Sequence, residues 1–177
     1  MIYKSDNDRR QRMLYLKQRN QFRLNSPKYL DPLESDVFHD RVYTYILQPE
    51  TEELRAILRE VKIDQEFKRE YRASKSEEVD SIISNLKPVL NQSNYFSIYN
   101  LTEYWFAKVN TSFVAPLYER ILEIDGDGFY VYDQKFENGF CVDIYEQHYS
   151  KGGESVCRAG YEIGVWGEDW TRYLLQK

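Results

Sequence analysis

The sequence predicts one α+β domain, with about five or six N-terminal helices packed on a C-terminal antiparallel β-meander of three or four strands. Apolar residues recur at helical spacing through much of 29–124 and alternate with polar residues over 129–175. The length of 177 residues is typical of one domain, and we find no repeat or linker. We therefore predict a single domain over 1–177 that begins with a basic helical segment, 1–28.

Helical signals fill the first two thirds of the chain. A helix is predicted from Asp8 to Leu24, and the residues before Pro27 end it. A second is favoured over 37–46, although β-branched and aromatic residues leave a strand open there. Apolar stripes and helix-favouring composition predict five further helices. Two of them begin at Thr51 and Ser76, and the other three span 64–72, 101–108 and 115–124. The polar residues 91–94 are interpreted as a loop.

Strand signals begin after Asp125-Gly-Asp-Gly, which we interpret as a glycine-rich exit from a helix into a strand. Alternation predicts strands over 129–136 and 140–149, joined by a turn at Asn138-Gly139, a pair typical of tight hairpins. A second turn over 150–153 leads into a third strand, 155–166. The tail 168–175 fits either a fourth strand or a closing helix.

Composition and charge exclude several classes of protein. With 42% apolar and 16% aromatic residues, the chain differs from a disordered one. No run approaches the roughly 18 apolar residues of a membrane span, and residues 1–12 lack the apolar run of a signal peptide. We therefore expect a cytoplasmic protein without membrane association, in which Cys141 and Cys157 stay reduced.

The net charge of −5 is unevenly distributed along the chain. Residues 1–28 carry eight basic and two acidic residues, whereas residues 101–177 carry seven basic and thirteen acidic residues. This asymmetry indicates that the two ends attract oppositely charged partners.

No catalytic, metal-binding or cofactor motif is recognised in the sequence. A calcium loop that began at Asp125 would need a glutamate at its twelfth position, which is Phe136. Glu146 and His148 share one face of a predicted strand, which keeps an enzyme of unrecognised type open, but Cys141 points to the opposite face. The glycines form neither a Walker loop nor a GxGxxG motif before a helix. We therefore predict no catalytic residue, metal or cofactor.

The preferred hypothesis is a protein-interaction module, in particular a small acidic inhibitor of a basic partner. A bacterial immunity protein that neutralises a toxin domain is the natural example. Carboxylates speed the encounter with a basic protein, and aromatic rings supply affinity. The predicted partner-binding residues are Asp143, Tyr145, Glu162, Trp166, Glu168, Asp169 and Trp170. The alternative for the tryptophans is that they pack helices onto the sheet.

A second hypothesis is a nucleic-acid-binding or regulatory protein that uses the basic N-terminal helix. Its candidate phosphate contacts are Arg9, Arg10, Arg12, Arg19 and Arg23. Tyr15 or Phe22 can stack on bases. The acidic remainder of the chain opposes this hypothesis because it would repel the same polyanion. The alternative is that the basic helix docks on this acidic remainder. The sequence leaves the oligomeric state and the identity of the partner open.

Overall fold

The computed structural model describes residues 6–39, 43–47, 50–151 and 154–174. Over these residues, one antiparallel sheet of seven strands forms, and six α-helices are interspersed among the strands along the chain. The helices are α1 (Asp6–Asn25), α2 (Pro27–Pro32), α3 (Glu50–Glu60), α4 (Ser76–Leu90), α5 (Tyr118–Asp125) and α6 (Glu168–Arg172). The strands are β1 (Tyr43–Leu47), β2 (Lys68–Ala73), β3 (Ser93–Ile98), β4 (Trp105–Asn110), β5 (Gly128–Tyr132), β6 (Gly139–Lys151) and β7 (Glu154–Trp166).

The strand order across the sheet is β1-β4-β3-β5-β6-β7-β2. The longest pair joins β6 and β7, from Gly139 opposite Trp166 to Lys151 opposite Glu154. β2 pairs with the far side of β7, so that Lys68 also lies opposite Trp166. Both edge strands, β1 and β2, therefore come from the first half of the chain.

One face of the sheet holds the apolar core beneath helices. Phe96, Phe129 and Phe140 are fully buried there, and they belong to one cluster with Leu86 of α4 and Ile121 of α5. The ring centroids of Phe96 and Phe129 lie 5.8 Å apart, as do those of Phe129 and Phe140. Burial of these large side chains, each worth about 1.5–3 kcal/mol, is the main force that holds helices and sheet together.

The predicted arrangement of N-terminal helices on a C-terminal meander is wrong, although the α+β class with an antiparallel sheet is confirmed. Strands β1 to β4 all precede Asp125, inside the segment predicted to be mainly helical. The sheet consequently has seven strands over the described residues, where three or four were predicted. Long-range strand pairing, which a local periodicity does not report, accounts for the difference.

Three segments predicted as helices contain strands instead. Residues 64–72 contain most of β2, residues 101–108 contain most of β4, and residues 43–47 form β1, the alternative left open there. In β4, Phe106 lies opposite Ile46 of β1, and its side chain is buried. The aromatic and β-branched residues of β1 and β4 fit a half-buried pleated surface better than a helix, whereas the composition of β2 favours a helix and its pairing with β7 makes it a strand. β3 begins at Ser93, within the predicted loop 91–94.

The remaining local predictions are largely confirmed. Helices α1, α3 and α4 occur where they were predicted, and α5 follows a 3-10 turn at Ala115–Leu117. Gly126 ends α5 with a φ of 85° and donates its N–H to the Leu122 carbonyl at 2.7 Å, which confirms the helix exit. The β5–β6 hairpin forms, but β5 ends at Tyr132, before the end of the predicted strand 129–136, and the loop is 133–138, so Gly139 begins β6 and is not part of a tight turn. The tail closes with α6. Residues 152 and 153 of the second predicted turn lie outside the described residues.

Candidate functional site

The second face of the sheet, which we call the open face, carries a different set of side chains. Tyr130 of β5 lies opposite Cys141 of β6, which in turn lies opposite Gly164 of β7. Phe129 and Val142, which are their sequence neighbours, are buried in the core. The period of two along each strand therefore separates an apolar face from an aromatic and polar one.

A groove of about 410 Å³ lies on this open face. Leu58, Val61 and Ile63, at the end of α3 and just after it, form one wall. Five aromatic rings line the rest: Tyr99, Tyr130, Tyr132, Phe136 and Trp166. The polar lining consists of Lys68, Glu70, Cys141, Asp143 and Glu162. This volume and this mixture of rings with a few polar groups are typical of a binding site.

Three tyrosine rings stack in a row along the groove. The centroids of Tyr99 and Tyr130 lie 4.4 Å apart with an interplanar angle of 20°, and those of Tyr130 and Tyr132 lie 5.6 Å apart. Burial raises the pKa of each of these hydroxyls, so all three remain neutral at physiological pH. They present ring faces and O–H groups to anything that enters the groove.

The loop between β5 and β6 closes one end of the groove. Phe136 has a φ of 62°, and its buried ring stacks on Tyr95 at 4.9 Å with an interplanar angle of 7°. The Asp133 carboxylate accepts hydrogen bonds from two backbone N–H groups of the loop and from the Asn138 side chain. These hydrogen bonds hold a left-handed conformation that is uncommon for a residue other than glycine.

Trp166 lies flat across the sheet because the residue opposite it is a glycine. A Cβ atom added to Gly139 would lie 2.1 Å from Cζ2 of the Trp166 indole. The ring is only 7% exposed and packs edge-on against Tyr132 at 5.6 Å. Gly164 plays the same part for Cys141, since an added Cβ would lie 2.8 Å from the thiol sulfur. Because the two glycines have no side chain, the Trp166 ring and the Cys141 thiol lie close to the sheet and the groove is deep there.

The carboxyl group of Asp143 is the main charged feature of the groove. Burial raises its pKa, and the nearby carboxylates of Asp127 and Glu162 raise it further, while the Ile144 N–H and the Tyr99 hydroxyl partly offset both effects. None of the ion pairs found among the described residues includes Asp143. A cation placed in the groove would relieve this repulsion.

The Cys141 thiol lies beside Asp143 and is a poor nucleophile. Burial raises its pKa to about 11, because the apolar surroundings disfavour the thiolate. Cys141 is a free cysteine. A thiol in this state is typical of a packing residue rather than of a catalytic one.

Two ion pairs border the groove at the outer strand β2. The Lys68 ammonium lies 2.6 Å from the Glu70 carboxylate, which raises the pKa of Lys68 and lowers that of Glu70. Arg72 lies 3.6 Å from Glu162 of β7. Both pairs are largely exposed, so they shape the charge of the border and contribute little to stability.

The structure brings together three of the seven residues predicted to bind a partner. Asp143, Glu162 and Trp166 line the groove, and Tyr145 lies farther along the open face, where the Arg72 guanidinium covers its ring at 5.4 Å. The other three belong to α6. Glu168 and Asp169 are exposed and pair with Arg172, whereas Trp170 is 3% exposed and belongs to the core.

The exposed tryptophans on which the predicted surface depends are therefore not found. Trp166 and Trp170 are both buried, and they face different sides of the sheet. Trp170 of α6 packs in the core, as in the alternative that tryptophans pack helices onto the sheet, whereas Trp166 packs against Tyr132 on the open face. The side chain of His148, the alternative enzymatic residue, lies outside the described residues.

The five arginines predicted to contact nucleic acid all lie on α1 and are exposed. The helix contacts the rest of the chain through Phe22, whose ring centroid lies 6.1 Å from that of Tyr104. Met13, Leu14 and Leu24 of the same helix remain more than half exposed.

Further findings limit the chemistry of the described part of the chain. It holds no cluster of three or more His, Cys, Asp or Glu side chains that suits a metal ion. None of its helices has the length and apolar character needed to cross a membrane. Comparison with protein-family models, curated proteins and solved structures gives no match for this chain.

Sequence reasoning missed the tyrosines and the border residues of the groove. The alternation in Gly-Phe-Tyr-Val-Tyr, residues 128–132, already separates Tyr130 and Tyr132 from the core residues between them, so this signal was available. Lys68 and Glu70 were hidden because their strand has a helix-favouring composition. Tyr99 follows β3, and only the fold brings it to Tyr130.

Proposed function

We propose that this chain is a protein-interaction module that binds a basic partner protein, with the groove on the open face receiving a positively charged side chain. The observation that carries the proposal is the coexistence, in one groove, of stacked tyrosine rings and an Asp143 carboxyl that is in no described ion pair. The finer form of the proposal is a cytoplasmic inhibitor of the immunity-protein kind, which blocks a toxin domain.

Electrostatics supports a cationic occupant. Asp143, Glu162 and Glu70 bring three carboxylates to the lining, against the single ammonium of Lys68. Burial and then the carboxylates of Asp127 and Glu162 raise the pKa of Asp143, and a guanidinium or ammonium group that entered the groove would favour its ionised form. A charged pair of this kind, once desolvated, can be worth about 2–5 kcal/mol when one partner is truncated.

The aromatic rings support the same class of ligand. A cation near a tyrosine face is attracted by about 0.5–2 kcal/mol, more as water is excluded. Tyr99, Tyr130 and Tyr132 are packed against one another, so little side-chain entropy is lost when a ligand meets them. The volume of about 410 Å³ is sufficient for an arginine side chain.

The enzymatic alternative receives less support from the same groove. Its most reactive candidate is Cys141, and burial keeps that group as a thiol. The exposed Glu168 and Asp169 of α6 retain a supporting role in the proposal, since exposed carboxylates accelerate the approach of a basic protein.

The test uses the whole chain as bait in affinity capture from lysate of its own cells, followed by mass spectrometry. The D143N variant removes the central carboxylate, and Glu77→Gln, an exposed residue of α4, is the matched control for the loss of one charge. The proposal expects a basic protein that is captured by wild type and E77Q but weakly by D143N. Equal capture by D143N, or capture of acidic proteins alone, would refute it.

An NMR titration with arginine amide tests the groove without knowledge of the partner. Wild-type protein should show shifts centred on Tyr130 and Asp143 that weaken at least tenfold in apparent affinity in D143N, given the strength of a charge-assisted contact. Glutamine amide at the same concentration is the control ligand, because it lacks the charge. Identical shifts with both ligands would contradict a cation site.

A further inference from the structure

Four arginines of α1 lie on one side of the helix. At 3.6 residues per turn, Arg9, Arg12, Arg19 and Arg23 fall within about 80° of arc, and they extend over roughly 21 Å of helix. All four are exposed. The stripe lies beside the side of α1 that docks, where Tyr15 and Phe22 are half-buried.

A second groove, of about 490 Å³, runs beside this stripe between α1 and the end of β1. Its lining includes Tyr15, Arg19, Phe22, Arg23 and Tyr104. Two guanidinium groups and three aromatic rings thus meet in it, and the described lining contains no carboxylate. This composition is the opposite of that of the groove on the open face.

A third groove, of about 410 Å³, adjoins the second and shares Phe22, Ser26 and Tyr104 with it. It adds Lys28 and Tyr29, and the Lys28 ammonium lies 4.4 Å from the centroid of the Tyr29 ring. Its described lining also lacks carboxylates. The two grooves and the arginine stripe therefore form one basic, aromatic surface, which we call the α1 surface.

We propose that the α1 surface binds single-stranded nucleic acid, with the arginine stripe along the phosphates and the rings of the grooves against the bases. Guanidinium groups neutralise phosphates, and bases stack on aromatic side chains whatever their sequence. The proposal is independent of the function proposed for the open face, because the two surfaces share no residue.

Carboxylates border the α1 surface at Tyr104 and Asn100. The Glu103 carboxylate lies beside the Tyr104 hydroxyl, where it also pairs with Arg55 at 3.5 Å, and Asn100 donates hydrogen bonds to the carboxylates of Asp125 and Asp127. The part of the α1 surface at Leu47 lies at the β1 edge, whereas Asp143 and Glu162 lie on β6 and β7, four and five strands away. At about 4.8 Å per strand this separation is roughly 19–24 Å, about twice the screening length at 0.1 M salt. A polyanion at the β1 end of the α1 surface is therefore largely shielded from Asp143 and Glu162.

The experiment measures fluorescence anisotropy of labelled oligo(dT) and oligo(U), each about 20 nucleotides long, with the full chain. If four phosphates are neutralised, affinity should fall about 50-fold between 50 and 200 mM salt. The variant R19E/R23E should bind at least tenfold more weakly. R59E/K62E, which makes the same change of charge at exposed positions of and after α3, is the matched control and should bind like wild type.

Two further variants separate stacking from charge and this surface from the other. Tyr15→Ala should weaken binding about fivefold or more with the salt dependence unchanged, because it removes a ring and no charge. D143N should bind oligonucleotide as wild type does, even if it loses the basic partner.

Four results would each overturn the proposal. The first is no anisotropy change at 50 mM salt, and the second is a loss of binding in R59E/K62E equal to that in R19E/R23E. The third is full competition by polyglutamate at an equal concentration of charge, because this would indicate an acidic protein ligand. The fourth is a dimer in light scattering that R19E/R23E dissociates, which would place a second copy of the chain on the α1 surface.

Discussion

A single methyl group added at Gly139 should displace the indole that lines the groove. In Gly139→Ala the new Cβ would lie 2.1 Å from Cζ2 and 2.4 Å from Cε2 of Trp166. Carbon atoms in contact lie about 3.5–4.0 Å apart, so the ring must move by roughly 1.5 Å. The ring is nearly buried and packs on Tyr132, so its movement must disturb that contact or push the indole into the groove that it lines.

The expected cost combines two terms. Overpacking of a filled site costs about 1–3 kcal/mol, and loss of the Trp166–Tyr132 contact adds about 0.5–1.5 kcal/mol. We therefore expect about 3 kcal/mol of destabilisation, which lowers the Tm of a chain of this size by about 6–12 °C. Thermal unfolding followed by near-UV circular dichroism measures both the Tm and the order of the indole.

A double-mutant cycle with Trp166→Leu supplies the control. In the W166L background the shorter side chain leaves room for the methyl group, so G139A should cost less than about 1 kcal/mol. The coupling between the two sites should then be about 2 kcal/mol or more. A G139A variant that melts within about 2 °C of wild type, or one that costs the same in both backgrounds, would refute the contact as described.

Three other changes test the electrostatics and the core. Because burial raises the pKa of Asp143 in the folded chain, wild type loses the associated stability as pH rises from about 3 to 7, whereas D143N does not. The Tm of D143N relative to that of wild type should therefore increase over that range. A constant difference between the two Tm values would contradict the raised pKa. In a Cys157→Ser background, Cys141 should react with iodoacetamide at pH 8 roughly 100-fold more slowly in the folded than in the unfolded chain, since burial raises its pKa to about 11. Equal rates in the two states would show an accessible thiolate. The Oγ1 of Thr51 is fully buried and has no hydrogen-bond partner among the described residues, so Thr51→Val should leave the Tm unchanged or raise it, and a fall of several degrees would reveal a hidden partner.

The residues predicted to bind a partner differ in their exposure and in their place in the fold. Asp143, Glu162 and Trp166 were chosen from the sequence and meet in one groove, but the indole lies in its lining and is not the exposed ring that was expected. Trp170 of α6 is 3% exposed and packs in the core. Exposure of a large ring depends on what covers it, and a linear pattern does not contain that information.

The sequence by itself determined the α+β class, the helices α1, α3 and α4, the glycine-rich exit after α5 and the β5–β6 hairpin. These features depend on side-chain periodicity, proline and glycine, whose effects act over a few residues. It also determined the concentration of arginine on α1, since composition does not depend on folding.

Only the tertiary structure decided that 68–73 and 105–110 are strands, that β2 pairs with β7, and that Tyr99 reaches Tyr130. Each depends on partners distant in the chain: Glu70 lies opposite Gly164, a contact that no local window includes. The groove exists because the fold places two glycines opposite Trp166 and Cys141, and that register is fixed by burial of the opposite face in the core.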